Sequence, residues 1–264
     1  MRTTLVTGAT DGIGLATALE LGRRQHRVLV HGRSQAKAEA AIGVLRQELP
    51  EAWIEPVWGD LSSLAQVRDV ASQALALGGL NGVVHNAGVY ETERNLTVDG
   101  FETTYAVHHL APFLLTHLLL PSLSASGEGR IATVSSVAHT RGKIDWDNLQ
   151  GERDFNAYKI YATSKLLNVL FTFELARRAP ATVAANVLHP GVITTKLLKK
   201  GFNATGDSTE VGARTSVFLV DSPKSVTGTG LYFSDSKVAH HNPQADDVAA
   251  CERLWNLSWE QCGL

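Results

Sequence analysis

Cysteine occurs only twice in the 264 residues, at Cys251 and Cys262, and methionine once. Two thiols close to one end cannot build a disulfide framework, so they read as free thiols in a reducing compartment. An excess of one charge is also missing. The 24 basic and 26 acidic residues leave a formal net charge of −2, which gives no electrostatic case for nucleic acid or an anionic membrane as a partner. The ten histidines are scattered apart from His108–His109 and His240–His241. None has the spaced Cys/His partners of a zinc site, so no metal is expected. The longest apolar run, LAPFLLTHLLLPSL from Leu110, is broken by His117 and two prolines and is too short to span a bilayer. At the N-terminus an apolar run begins at Thr3 and turns into Gly8, leaving no room for a secretory signal. A cytoplasmic protein is expected.

What is present is a regular alternation. Short apolar runs at TTLVTG (3–8), RVLVHG (27–32), AWIEPVWG (52–59), NGVVHNAG (81–88), RIATVSS (130–136), ATVAANVLHPG (181–191) and GTGLYF (228–233) read as about seven strands. Between them lie helical stretches, among them 34–49, 61–77, two long ones at about 98–120 and 156–178, then 209–219 and one from about 243. Strands that alternate with helices of this length need right-handed crossovers, hence a mostly parallel sheet covered on both faces. No repeat or linker interrupts the pattern. Residues 1–264 therefore read as one doubly wound α/β domain, whose ligands bind beyond the C-terminal ends of the strands.

The turn after the first strand, TGATDGIG, places Gly8, Gly12 and Gly14 as G-x-x-x-G-x-G. Glycines let a backbone approach a pyrophosphate closely while the helix N-terminus stabilises its charge. A plain strand-to-helix turn would need only one. The second strand ends in HGRS, with Arg33 where an acidic residue would bind the ribose 2′-hydroxyl of NAD. A guanidinium there suits a 2′-phosphate and favours NADP(H) over NAD(H). Asp11 weighs against that phosphate, and a solvated surface role is the alternative for Arg33.

The segment NAYKIYATSK offers two tyrosines. Tyr161 has Lys165 four residues on, on the same helical face, whereas Tyr158 has only Ala162. An ammonium beside the phenol would lower its pKa from near 10. Tyr161 is the candidate acid/base and Tyr158 a packing residue. With five tyrosines and nine lysines in the chain, the spacing alone is a weak signal.

The ordered set of motifs resembles the short-chain dehydrogenases/reductases over nearly the whole chain, and more narrowly their retinol-dehydrogenase-like branch. TGATDGIG is similar to the family's cofactor loop, GDL (59–61) to its adenine-side motif and NAG (86–88) to the motif after the fourth strand. VSS (134–136), YATSK (161–165) and HPGVITT (189–195) match its serine strand, catalytic helix and Pro-Gly segment. SSVAH, SKLLNVLFTFELARR and GLYFSDSK…PQADDVAACERLW resemble the narrower branch. Animal members of that branch often carry an N-terminal membrane anchor, which is not seen ahead of Thr3, so retinol does not follow as the substrate.

The resemblance implies a Rossmann-fold oxidoreductase acting on a small or apolar carbonyl or alcohol. It implies Tyr161 as general acid/base, Lys165 lowering its pKa and bonding the nicotinamide ribose, and Ser136 holding the substrate oxygen, with Ser135 facing away. Gly8, Thr10, Asp11, Gly12, Ile13 and Gly14 would form the cofactor loop. Asp60 and Leu61 would flank the adenine, and Asn86, with Ala87 and Gly88, the adenosine-side ribose. Thr195, with the backbone near Ile193, would hold the carboxamide, and Pro190 and Gly191 of the same segment would also bind the cofactor. The family's relay asparagine is replaced by His108, in AVHHLAPF. His108 either serves the relay or is a buried core histidine, and the second reading keeps a non-catalytic NADP(H)-binding sensor or scaffold as an alternative. An epimerase built on the same cofactor domain would need more than the roughly 70 residues after His189. His139 and a substrate flap at about 196–212 are expected to shape an apolar pocket. Assembly as a homodimer or homotetramer through the two long helices would also follow from the resemblance.

Overall fold

A computed structural model describes residues 1–264, the side chain of Ser225 excepted. The apolar runs form strands β1 (Thr3–Val6), β2 (Arg27–Gly32), β3 (Ile54–Trp58), β4 (Gly82–His85), β5 (Gly129–Val134), β6 (Val183–His189), β7 (Tyr232–Ser234) and β8 (Lys237–Val238). The sheet order is β3-β2-β1-β4-β5-β6-β7-β8, parallel throughout except for the last pair. The eighth strand, beyond the expected seven, is a two-residue return after a turn at Asp235 and Ser236, both with positive φ. Pro56, which has no N–H to donate, is tolerated because β3 lies at the sheet edge.

Helices α1 (Gly12–Arg23), α2 (Gln35–Glu48) and α3 (Leu64–Ala76) are the first crossovers. The long helix starts at Thr103 rather than 98, because Leu96 and Glu102 pair as an antiparallel bridge and the Glu102 carboxylate caps the N–H groups of Thr104 and Tyr105. It runs as α4 (Thr103–Tyr105), a π segment (Ala106–Leu110) and α5 (Ala111–Ala125). The continuous helix Thr103–Ala125 is thereby longer than the expected apolar run, and by length and composition alone it could cross a membrane. However, 72% of its most apolar window is buried inside the protein.

Helix α6 (Ala157–Arg178) is capped by Asn156 and buried along most of its length. Three short helices follow, α7 (Lys196–Phe202), α8 (Thr209–Asp221) and α9 (Lys224–Thr227), before the C-terminal α10 (Val248–Cys262). Trp255 of α10 packs on Phe113 of α5 and Phe171 of α6, so the chain's own C-terminal helix covers the groove between the two long helices. Beneath both helix layers the core is built from Leu, Val and Phe of the central strands and of α5 and α6.

Candidate active site

At the C-terminal ends of the strands lies a cleft of about 1190 Å³. Every residue predicted to bind cofactor or do chemistry lines it, with the single exception of His108.

The glycine turn at its base is dictated by close contacts. Gly8 sits at φ +62°, and a Cβ there would come within 2.8 Å of the Ala87 backbone. A Cβ on Gly14 would meet the Gly8 carbonyl at 2.2 Å and the Asn86 amide at 2.4 Å. Neither position has room for a side chain, so loop and helix approach at backbone distance and leave a shallow cradle suited to a pyrophosphate. Asn86, expected beside the adenosine ribose, uses its amide to donate to the Thr7 and Gly8 carbonyls (2.9 and 3.2 Å). It holds the turn from behind. The Thr7 hydroxyl accepts from the Asn86 and Ala87 N–H groups.

His31, in the HGRS stretch, went unrecognised in the sequence. The Gly8 N–H donates to its Nδ1 (3.1 Å) and its Nε2 bonds the Gly59 carbonyl (2.9 Å), so one buried imidazole ties β1, β2 and β3 together under the cleft. Accepting at Nδ1 and donating at Nε2 fixes the neutral tautomer. Burial pulls its pKa down to about 4.

Two ion pairs set the charge at the adenosine side. Arg33 is 64% exposed and lies 3.7 Å from the Asp60 carboxylate. Asp11, the residue weighing against a 2′-phosphate, is paired with Lys196 at 2.6 Å, and that ammonium holds its carboxyl below the usual range. The expected flap begins as helix α7, because Thr195 caps it by accepting from the Leu198 N–H, and is irregular only from Asn203 to Ser208, before α8. Helix α7 is fastened at both ends, to Asp11 through Lys196 and to Glu91 through Lys200 (3.3 Å). Phe202 at its end packs edge-on against Tyr90, Tyr158 and Tyr161, at 5.2, 6.1 and 5.7 Å between ring centroids. Tyr158 therefore packs, as expected, but does so within the cleft.

Tyr161 and Ser136 meet over the cleft floor. Burial pushes the Tyr161 phenol up to about 12, and the neighbouring Ser136 side chain opposes that shift. Burial, rather than Lys165, sets the direction of that shift. Lys165 Nζ stands 5.8 Å from the centre of the Tyr161 ring and donates to the Val134 carbonyl at 3.0 Å. Fully buried, Lys165 is itself pulled down to about 7 by desolvation. Ser135 faces the other way, as alternation requires, and donates to the Lys165 carbonyl at 2.7 Å.

His108 lies behind this group. Its Nε2 accepts from the Val89 N–H (2.8 Å) and its Nδ1 bonds the Ser164 hydroxyl (2.8 Å), which in turn donates to the Tyr161 carbonyl (2.7 Å). Burial, with the Lys165 charge second, holds its pKa well below the ordinary value. Both nitrogens are satisfied, so the ring is a neutral clasp between the loop after β4 and the α6 turn of Tyr161. His139, expected in the pocket, is fully buried outside it.

The comparisons with known proteins agree with this geometry. The sequence model of the family described as short chain dehydrogenase matches residues 2–205. Human retinol dehydrogenase 14 is 39% identical over 100% of this chain and 87% of its own length. Human retinol dehydrogenase 13 is 37% identical, with 100% of this chain and 85% of its own length covered. A crystal structure of an uncharacterised protein from Mycobacterium Paratuberculosis superposes with a TM-score of 0.82 at 32% identity, covering 100% of this chain and 94% of that one. A provisional NAD(P)-dependent gluconate 5-dehydrogenase from Beutenbergia cavernae, solved with NADP at low occupancy, superposes with a TM-score of 0.71 at 25% identity, covering 89% of this chain and 94% of that one. On its glycine cradle, its Ser136–Tyr161–Lys165 constellation and these matches, the chain belongs to the short-chain dehydrogenase family, in its retinol-dehydrogenase-like branch.

Proposed function

We propose that this oxidoreductase transfers hydride between NADP(H) and an apolar carbonyl or alcohol, with Tyr161 as general acid in reduction and general base in oxidation. The observation that carries the reading is the buried phenol of Tyr161 lining the cleft with Ser136, with the Lys165 ammonium 5.8 Å from its ring centre. When bound, the nicotinamide supplies or accepts the hydride.

The residues of the chain do the rest. Ser136 Oγ orients the substrate oxygen beside the phenol. A phenol at about 12 keeps its proton at neutral pH, so it is loaded as a donor for carbonyl reduction. The proton moves from Tyr161 Oη to the developing alkoxide. A protonated Lys165 favours the resulting phenolate, and solvent returns the proton. Lys165, near 7, is partly protonated at neutral pH and can supply that charge. With both nitrogens of His108 bonded and the three catalytic groups assembled, the constellation favours an enzyme over a sensor.

Arg33 with no acidic residue at the end of β2 supports the NADP(H) preference. The Lys196 ammonium beside Asp11 offsets part of the repulsion that opposed it. Val137, Val192 and Phe202, each part-exposed along the cleft, support an apolar substrate. The retinol in the relatives' names is an apolar alcohol of that chemistry. Buried, unpaired Cys251 and Cys262 support a cytoplasmic location.

The test is NADPH consumption across a panel of apolar aldehydes and ketones, with Tyr161→Phe alongside. Turnover that vanishes in the variant while NADPH still binds is the expected result. Tight NADPH binding with no turnover on any carbonyl would transfer the assignment to the sensor.

A further inference from the structure

We infer that Asn242, acting through His139, is a positioning residue that sets Ser136 against Tyr161. This rests on the role proposed for Ser136. Asn242 also lies beyond residues 2–205, the part matched by the family's sequence model.

Beyond β5 the chain leaves the sheet, and Ser136 sits at the head of a 3₁₀ turn (Val137–Arg141). The turn's own bonds are the His139 N–H to the Ser136 carbonyl (3.1 Å), the Gly142 N–H to the His139 carbonyl (3.0 Å), the Ala138 N–H to Ser136 Oγ (3.2 Å) and the Thr140 hydroxyl to the Val137 carbonyl (2.8 Å), while the Val137 N–H donates to His189 Nδ1 (3.2 Å). The segment after β8 adds a buried anchor. His139 Nδ1 bonds the Ser136 carbonyl at 2.7 Å, and its Nε2 accepts from the Asn242 backbone N–H at 3.2 Å. Since a carbonyl only accepts, Nδ1 carries the proton and Nε2 the lone pair, and both partners of the ring are used.

The Asn242 carboxamide continues the clamp. Its NH₂ donates to the carbonyls of His139 (3.1 Å), Gly142 (3.1 Å) and, more distantly, Thr140 (3.4 Å). Gln244 adds a donation to the Gly142 carbonyl (3.1 Å) and accepts from the Ile144 N–H (3.2 Å). Two side chains of the tail thus satisfy the backbone of 139–144, which belongs to no strand or long helix. His139 is fully buried and Asn242 is 6% exposed, so water does not compete for these bonds.

The clamp bears on the acid/base group as well. A Cβ on Gly142 would come within 2.7 Å of the Ala162 carbonyl. The clamped loop therefore lies directly on the α6 turn that carries Tyr161. Pressed from the tail, the loop sets both Ser136 and the helical turn of Tyr161.

The test replaces Asn242 by Asp, which keeps the shape, removes the donors and turns a carboxylate toward carbonyls, and separately by Ala. Carbonyl reduction and NADPH affinity are measured, and the pKa of 3-fluorotyrosine at position 161 is titrated by ¹⁹F NMR in the full chain. Ser136→Ala is the reference. In Asn242→Asp, kcat should fall roughly 10- to 100-fold, the scale set by a displacement near 1 Å, with the NADPH Kd within about twofold. The fluorotyrosine pKa should rise in the direction seen with Ser136→Ala. A purely structural role for Asn242 would leave that pKa and kcat unchanged in the folded variant. Wild-type kcat and pKa in folded Asn242→Asp and Asn242→Ala, with Ser136→Ala shifted, would overturn the inference. If the wild type reduces no carbonyl, the proposed function fails while the fluorotyrosine titration still decides the positioning. Should Asn242→Asp not fold, Gln244→Ala, which removes one donor and one acceptor, is read the same way with an expected 2- to 10-fold loss.

Discussion

One substitution made at two glycines separates the cradle from the rest of the fold. At Gly14 the new Cβ of alanine would lie 2.2 Å from the Gly8 carbonyl and 2.4 Å from the Asn86 amide. Carbon and oxygen need roughly 1 Å more than that, so something must move. Neither neighbour yields readily, because one is backbone and the other is held by two hydrogen bonds. Overpacking of this kind costs about 1–3 kcal/mol. At about 2–4 °C per kcal/mol for a domain of this size, Gly14→Ala should lower Tm by roughly 2–12 °C.

The displaced atoms form the cradle itself. If the same energy is lost from cofactor binding, the NADPH Kd rises about 5- to 150-fold. Gly43 is the contrasting site. It is exposed within α2, with nothing within 4 Å of an added Cβ. There alanine removes a helix-interior glycine and should stabilise by about 0.5–1 kcal/mol, raising Tm by roughly 1–4 °C with NADPH binding unchanged. Thermal melts and fluorescence titration with NADPH read both variants. Wild-type NADPH affinity in Gly14→Ala, or equal destabilisation by the two changes, would refute the reasoning.

Three further outcomes are expected. Arg33→Ala should reduce the preference for NADPH over NADH by roughly 10- to 100-fold, read as the ratio of kcat/KM values, because a charge-assisted bond to the 2′-phosphate is lost. Lys165, pulled to about 7 in the folded cofactor-free protein against an unfolded value near 10.4, binds fewer protons folded than unfolded between those limits. Stability should therefore rise with pH from about 7 toward 10, and the rise should be absent in Lys165→Met; melts at stepped pH that show the same slope for both proteins would count against it. With α10 covering the groove between α5 and α6, light scattering should give a monomer near 28.4 kDa; a dimer that persists at dilution would mean another face carries assembly.

The parts legible in sequence were those whose requirement is local. Three glycines within one turn, and a tyrosine and lysine one helical turn apart, announce their geometry through spacing alone, and the alternation of strands and helices gave the architecture. What escaped depends on residues far apart in the chain. His31 has meaning only once β1, β2 and β3 lie side by side, and His139 only once Asn242 returns to it. The Lys196–Asp11 pair joins the two ends of the site in the same way, and it reverses the charge argument drawn from Asp11 alone. The direction of the Tyr161 shift escaped because it follows from burial, and burial is a property of the whole packed structure. The π segment at Ala106–Leu110 carries no spacing signal either.

The two borders of the sheet have a consequence for behaviour at high concentration. Each edge of an open sheet is a row of unpaired backbone groups, onto which another chain can add a strand. On one side that row belongs to β3, where Pro56 interrupts it with a residue that has no N–H. On the other, β8 is two residues long, runs against its neighbour and exposes Lys237. Neither border offers the long, flat, uncharged template that seeds intermolecular stacking. The protein should therefore tolerate crowding as a dispersed species even though its interior is built of β-rich apolar runs.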